Sequence, residues 1–295
     1  MNLKAAFRSL RVRATPLVLS GVAVGISAAL ASGCVRWVVV PFLVLTAVFL
    51  QFVSNLSNEL GDSLNGTDRS DRQGMRYSLQ SGALTEKDIK KLIGVCIAFS
   101  CFSGVLMIYF AMGTLWSAAA LSFEVLGLLA IVAAMRYTLG KHPYGYRGLG
   151  DIYVFLFFGL AVVVGGFYLC TGDRNLMPTL MPACAMGCFS VGVLNVNNIR
   201  DMKSDAATRV TMAIRMGKKG SRMYQTALIV LGWLLMLAWA VMTGRPVWGY
   251  TFVLSLPLFV KHLMVVWTKK DHDLDKMVPM LSISTFLMAL LTFIG

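Results

Sequence analysis

PFLVLTAVFLQFVSNLSNELGD, residues 41–62, opens as an apolar run and closes on Asn58, Glu59 and Asp62, three groups that hydrocarbon does not tolerate. A helix needs about 20 apolar residues to cross a bilayer. The polar end of this run therefore marks a membrane surface. Comparable runs lie at about 14–33, 37–57, 92–112, 115–135, 152–171, 177–198, 224–243, 247–267 and 277–294. The expected fold class is all-α: a polytopic membrane protein of about nine transmembrane helices, forming one domain over residues 1–295.

Composition agrees. Apolar residues make up 57% of the chain and charged residues 14%, against roughly 25% charged in soluble domains. Mean hydropathy is +0.70. Gly21, Gly25, Gly104, Gly165, Gly166 and Gly187 lie inside the runs, where small residues let helices pack closely in lipid. The first run is read as a span and not as a cleaved signal. The six cysteines are scattered through apolar runs. Cys184 and Cys188 stand four apart with no His or second Cys pair beside them, so they read as packing residues.

The net charge of +13 raises the question of nucleic acid, and its distribution argues against it. With the N-terminus and the loops after even-numbered spans on one side, that side gathers 24 of the 27 basic residues; Arg36, Arg174 and Arg245 lie opposite. Basic loops stay in the cytoplasm. The N-terminus and the polar loops are expected to be cytoplasmic, in an inner or cytoplasmic membrane. The positive charge then faces anionic head groups or an anionic substrate.

Two polar clusters carry the chemistry. Residues 58–71 hold Asn58, Glu59, Asp62, Asp68 and Asp71, and residues 197–205 hold Asn197, Asn198, Asp201 and Asp205. The clusters begin about 140 residues apart, each at the end of an even-numbered span, as if one four-helix unit were used twice. Asn58 and Asp62 share a helical face, as do Asn197, Asp201 and Asp205. Stacked carboxylates repel unless a cation lies between them. Mg²⁺ suits such a set, because it takes one or two carboxylates and completes its shell with water and phosphate oxygens. A solvated helix end with ordinary capping residues explains one such cluster alone; two on one side favour a diphosphate ester with Mg²⁺.

Basic residues stand close by: Arg69, Arg72 and Arg76 after the first cluster, Lys203, Arg209 and Arg215 after the second, and Lys141 and Arg147 between spans four and five. Topological retention accounts for many of them, yet a diphosphate needs such partners. Tyr137, Tyr144 and Tyr146 lie in the same Gly-rich connection. They suit a developing cation through their π faces, or an interfacial aromatic belt. His142 has no second His nearby, and Glu124 within the fourth span has no evident purpose.

Three segments together resemble the UbiA superfamily of intramembrane prenyltransferases. Asn58-Glu59-x-x-Asp62 with Gly66-Thr67-Asp68-Arg69-Ser70-Asp71-Arg72 is similar to its first Asp-rich motif. Asn197-Asn198-Ile199-Arg200-Asp201-Met202-Lys203-Ser204-Asp205 is similar to the second. The run from Tyr137 to Asp151 completes the likeness, which is to the menaquinone branch and covers spans two to seven. The resemblance implies nine helices around a central cavity that opens to lipid. It implies Mg²⁺ on Asn58, Asp62, Asp68, Asn197, Asp201 and Asp205, and a Tyr-x-x-x-Lys pair at Tyr137 and Lys141. It implies transfer of a polyprenyl group from polyprenyl diphosphate to 1,4-dihydroxy-2-naphthoate, with decarboxylation. Asp62, Asp201, Tyr137 and Lys141 would be catalytic. Asn58, Lys141, Arg147, Asn197, Asn198, Arg209 and Arg72 would bind substrate.

Departures are Glu59 where Asp is usual, Met75 in place of Pro, and no Gly-Lys after Asp205, which shifts a basic contact to Arg209. Rival readings are a 4-hydroxybenzoate or homogentisate acceptor, and a transporter of an anionic lipid or quinol. A CDP-alcohol phosphotransferase is disfavoured because its Asp-Gly-x-x-Ala-Arg pattern is missing.

Overall fold

The structure, a computed structural model, describes residues 2–66 and 78–294. Among the described residues nine helices are long and apolar enough to cross a membrane. They are α1 (Leu3–Ala31), α2 (Val40–Leu64), α3 (Glu86–Met112), α4 (Ala118–Arg136), α5 (Gly150–Thr171), α6 (Met177–Asp205), α7 (Met212–Met242), α8 (Val247–Thr268) and α9 (Asp273–Ile294). The chain is an integral membrane protein of all-α class.

Local chemistry sets the helix limits. Pro41 and Pro178 stand in the first turns of α2 and α6, and Pro16 and Pro257 in the first turns of the α-helical parts Thr15–Ala31 of α1 and Leu256–Thr268 of α8, where a missing N–H costs nothing. Thr85 and Asp88 form a reciprocal capping box at the start of α3. Thr211 accepts from Ile214 N to start α7. α1 differs from its expected outline. It begins with an amphipathic helix of about two turns, Leu3–Leu10, capped by Asn2, and the joint to its membrane-spanning part falls at Arg11 in the left-handed region at φ +52°.

α1 and α6 are the most buried helices and form the centre of the bundle, whereas α4 buries few of its residues. α1 packs on α5 and α9, α2 on α3, and α6 on α7. Phe102, Leu128, Val132 and Leu254 are exposed on the outer surface, as lipid contact requires. A close helix approach occurs at Gly159 of α5, where an added Cβ would lie 2.6 Å from Gly187 Cα and 2.7 Å from the Ala183 carbonyl of α6. A π-helical stretch, Phe155–Ala161, brings α5 onto α6 there. The cysteines are unpaired.

Two loops are tied together beneath the clusters. Val210 N donates to the Tyr146 carbonyl at 3.0 Å, and Arg147 and Val210 form an isolated parallel bridge. The connection after α4 is thereby fixed to the connection after α6.

Candidate active site

α2 delivers the first cluster and α6 the second. Asp62, Asp201 and Asp205 are all buried, so each needs a charged or hydrogen-bonding partner. Asp62 Oδ1 accepts from the Tyr146 hydroxyl at 2.8 Å. Arg209 completes the join: its Nη1 lies 3.6 Å from Asp62 Oδ1, and its Nη2 donates to Asp205 Oδ2 at 2.6 Å. One guanidinium thus stands between a carboxylate of each cluster. Burial works against the charge on Arg209, but Asp62 and Asp205 outweigh it and hold the group more firmly protonated than usual. The Tyr146 ring lies beneath it, 5.7 Å from Cζ to centroid.

Asp201 is held by Arg200, whose Nε and Nη2 donate to its two oxygens at 2.8 and 2.7 Å. Arg200 also donates to Asn197 Oδ1 at 2.8 Å and to Asp275 at 2.8 Å, binding α6 to the start of α9. Asn58 accepts from the Thr138 hydroxyl at 3.4 Å. Gly61 permits that meeting, because a Cβ there would sit 2.5 Å from Thr138.

A cavity of about 1200 Å³ reaches both clusters, with Asn58, Asn197 and Arg200 on its wall. Tyr137, Tyr144 and Tyr153 line it as an aromatic strip. Tyr144 stacks on Tyr153 at 3.8 Å and meets Tyr137 edge-on at 5.4 Å. Burial pushes the Tyr137 phenol up to about 12.

The structure separates the expected site residues into groups. Asp62, Asp205 and Arg209 converge; Asn58, Asn197 and Tyr137 face the cavity; Asn198 is buried beside Tyr137 and Arg209. Lys141 is exposed and makes no ion pair with a described residue, and Arg147 is exposed and joins the site through its backbone. Asp68, Asp71 and Arg72, with Arg69 and Arg76, lie outside the described residues. Glu59 is not part of the ligand set: it is fully buried, and its Oε1 accepts from Leu79 N at 2.8 Å. Tyr146 and Arg200 were not expected as partners of the carboxylates. The sole hint in the sequence was their position inside the recognised motifs.

The donor set fits a hard divalent cation. Amide and carboxylate oxygens are the ligands such ions take, and Asp62 and Asp205 already share one cationic group. Among the described residues no three His, Cys, Asp or Glu side chains form a closed metal cage. An open site that also takes oxygens from substrate is the arrangement expected of a magnesium-type ion on a diphosphate.

The model of the UbiA prenyltransferase family matches residues 18–290. The chain is 36% identical over 270 residues to 1,4-dihydroxy-2-naphthoate octaprenyltransferase of Escherichia coli strain K12, covering 91% of this chain and 86% of that protein. It is 38% identical over 253 residues to the Haemophilus influenzae protein of the same name, covering 85% and 81%. Among solved structures, the apo form of a UbiA homolog from Aeropyrum pernix K1 superposes with a TM-score of 0.69 at 18% identity, over 93% of this chain and 97% of that one. That last likeness establishes the fold.

Proposed function

The chain belongs to the UbiA prenyltransferase family, and on that premise we propose that it transfers a polyprenyl group from polyprenyl diphosphate to 1,4-dihydroxy-2-naphthoate with decarboxylation, giving demethylmenaquinol, the reduced form of demethylmenaquinone. It is a prenyltransferase. The acceptor rests on the names of the Escherichia coli and Haemophilus influenzae relatives. The observation that carries the donor half is the convergence of Asp62 and Asp205 on one cation, beside a cavity walled by Asn58, Asn197 and three tyrosines.

Asn58, Asp62, Asn197, Asp201 and Asp205 would hold Mg²⁺, with Asp68 as a further ligand. When bound, that ion offsets the charge gathering on the departing diphosphate. Arg209 and Arg200 are the chain's own cations at the clusters. They neutralise the buried carboxylates before substrate arrives and turn toward phosphate oxygens when it does. Lys141, Arg147 and Arg72 supply further positive charge on the loops.

In the transfer, the allylic C–O bond breaks and its electron pair leaves with the diphosphate. A ring carbon of the acceptor donates a pair to the allylic carbon, and the carboxylate departs as CO₂, returning a pair to the ring. Tyr137, Tyr144 and Tyr153 present π faces to the intervening cation, and the enclosed cavity keeps water from capturing it. The N-terminus and the site loops lie in the cytoplasm, as the basic loops of an inner-membrane protein do.

The test is an assay of the purified protein with labelled polyprenyl diphosphate, offering 1,4-dihydroxy-2-naphthoate or 4-hydroxybenzoate, with and without EDTA. Prenylated naphthoquinol, CO₂ and pyrophosphate are expected from the first acceptor and lost with EDTA. Product from 4-hydroxybenzoate alone overturns the acceptor. Absence of pyrophosphate release from either overturns the enzyme reading in favour of a transporter.

A further inference from the structure

Residues 1–58 contain no acidic side chain, and residues 1–13 carry four cations, Lys4, Arg8, Arg11 and Arg13. Positive-inside retention accounts for their presence on the cytoplasmic side. It does not account for where they lie. All four line the same cavity as Asn58, Tyr137 and Asn197. Among the described residues on that wall Asp275 is the one carboxylate, and Arg200 already holds it at 2.8 Å. The part of the cavity wall that the N-terminal segment supplies is therefore strongly positive.

The N-terminal segment is built into the site. Asn55 Nδ2 donates to the Leu10 carbonyl at 2.9 Å, and Asn55 lies one helical turn before Asn58. Ser78 Oγ donates to the Ala5 carbonyl at 2.7 Å, and the next residue, Leu79, donates its N–H to Glu59. The same short stretch thus binds the N-terminal helix on one side and the first cluster on the other. This gives Glu59 a purpose that a metal-ligand reading did not supply. On the outer edge of the helix Leu3 and Phe7, four residues apart, are 69% and 64% exposed. Exposed apolar side chains of this kind suit a membrane interface, and Phe7 borders the cavity together with Lys4 and Arg8.

Arg11 is the joint. Among the described residues it is the one non-glycine in the left-handed region, at φ +52°. That conformation disfavours an L side chain and persists where the surroundings demand it, commonly at functional sites. Here it turns the chain between the N-terminal helix and the first transmembrane segment, and its side chain lines the cavity.

A prenyl transfer to an aromatic acid brings two anions into one cavity. The diphosphate is met by the Asn/Asp clusters and Arg209. The acceptor's carboxylate needs a separate cation, since at the clusters it would compete with the diphosphate. Arginine suits it, because its fork matches the two oxygens of a carboxylate. We propose that Arg11 and Arg8 form the carboxylate-recognition subsite for the aromatic acid, on the N-terminal part of the cavity wall. This rests on the acceptor class proposed above.

The test uses the full chain in nanodiscs of phosphatidylcholine alone, so that no anionic lipid competes. Arg11→Gly suits the backbone at φ +52° and therefore keeps the fold; Arg8→Gln is the second variant. Direct calorimetry compares 1-hydroxy-2-naphthoate with 1-naphthol, which differ by the carboxylate. The wild type is expected to bind the acid at least tenfold more tightly, and each variant to lose most of that preference. In turnover, KM for the acceptor rises about tenfold while KM for polyprenyl diphosphate stays within about twofold. Unchanged acid-over-naphthol preference in both variants overturns the subsite. So does a variant effect that appears only in anionic nanodiscs, since the cations then serve lipid. Wild type that binds the acid but transfers no prenyl group sinks the function proposed above and leaves the binding comparison valid.

Discussion

Arg209 Nη1 lies 3.6 Å from Asp62 Oδ1, although the two residues come from opposite halves of the chain. The contact makes one site of two motifs. Both side chains are nearly inaccessible, and Asp205 completes the set at 2.6 Å. Breaking a buried pair by removing one partner strands the other and costs about 3–5 kcal/mol. Arg209→Ala is expected to lower thermal stability by that order and to abolish turnover. Arg209→Lys keeps the charge but lacks the planar fork that spans the two carboxylates, and should retain the fold with about tenfold lower kcat/KM. Melting curves and steady-state kinetics on the two variants check this, and equal stability of Arg209→Ala and wild type contradicts the bridging role.

Under the proposed function, Asp62 and Asp201 contribute to chemistry rather than to insertion. Each sits at a helix end near the membrane surface, where loss of a carboxylate does not hinder insertion. Asp62→Ala and Asp201→Ala are expected to reach the membrane in normal amounts and to lose at least about a hundredfold in prenyl transfer. Chelation by EDTA should inactivate the wild type to a similar level, with recovery on adding Mg²⁺. A purified variant with full turnover in Mg²⁺ refutes the assignment.

The spans and the two clusters were legible because their signals are local. A 20-residue apolar run reports a membrane helix wherever it packs, and four-residue steps report a shared helical face. Arg209 was within reach for the same reason, being one turn beyond Asp205. What escaped is tertiary. Tyr146 reaches Asp62 across 84 residues of sequence, and no spacing rule connects them. Glu59 looked like one more acid in a cluster, yet it points to the backbone of Leu79. Lys141 entered through resemblance and stands exposed. The four N-terminal cations read as topology alone, because a charge count carries no direction.

The α5–α6 crossing is the structural weak point of the cavity wall. A Cβ at Gly159 would come within 2.6 Å of Gly187 Cα, with backbone and not a flexible side chain on the receiving side. The helices would have to separate. Overpacking of this kind costs about 1–3 kcal/mol, so Gly159→Ala is expected to lower the melting temperature measurably and Gly159→Val to prevent stable expression. An unshifted melt for Gly159→Ala would show that the crossing yields.

Tyr137 is expected to act through its ring. Burial is the main reason its phenol titrates near 12, with Asp62 adding to the rise and Arg209 opposing it. A raised pKa means that the folded state holds the proton, so the group stays neutral through the usual assay range and loses it only above about 12. The pH–rate profile should therefore show no inflection near 10, where an ordinary tyrosine titrates. Tyr137→Phe keeps the π face and should retain kcat within about threefold, whereas Tyr137→Leu removes it and should lower kcat about tenfold, the worth of a desolvated cation–π contact. If Phe and Leu are equally impaired, the hydroxyl is the working group and the ring is not.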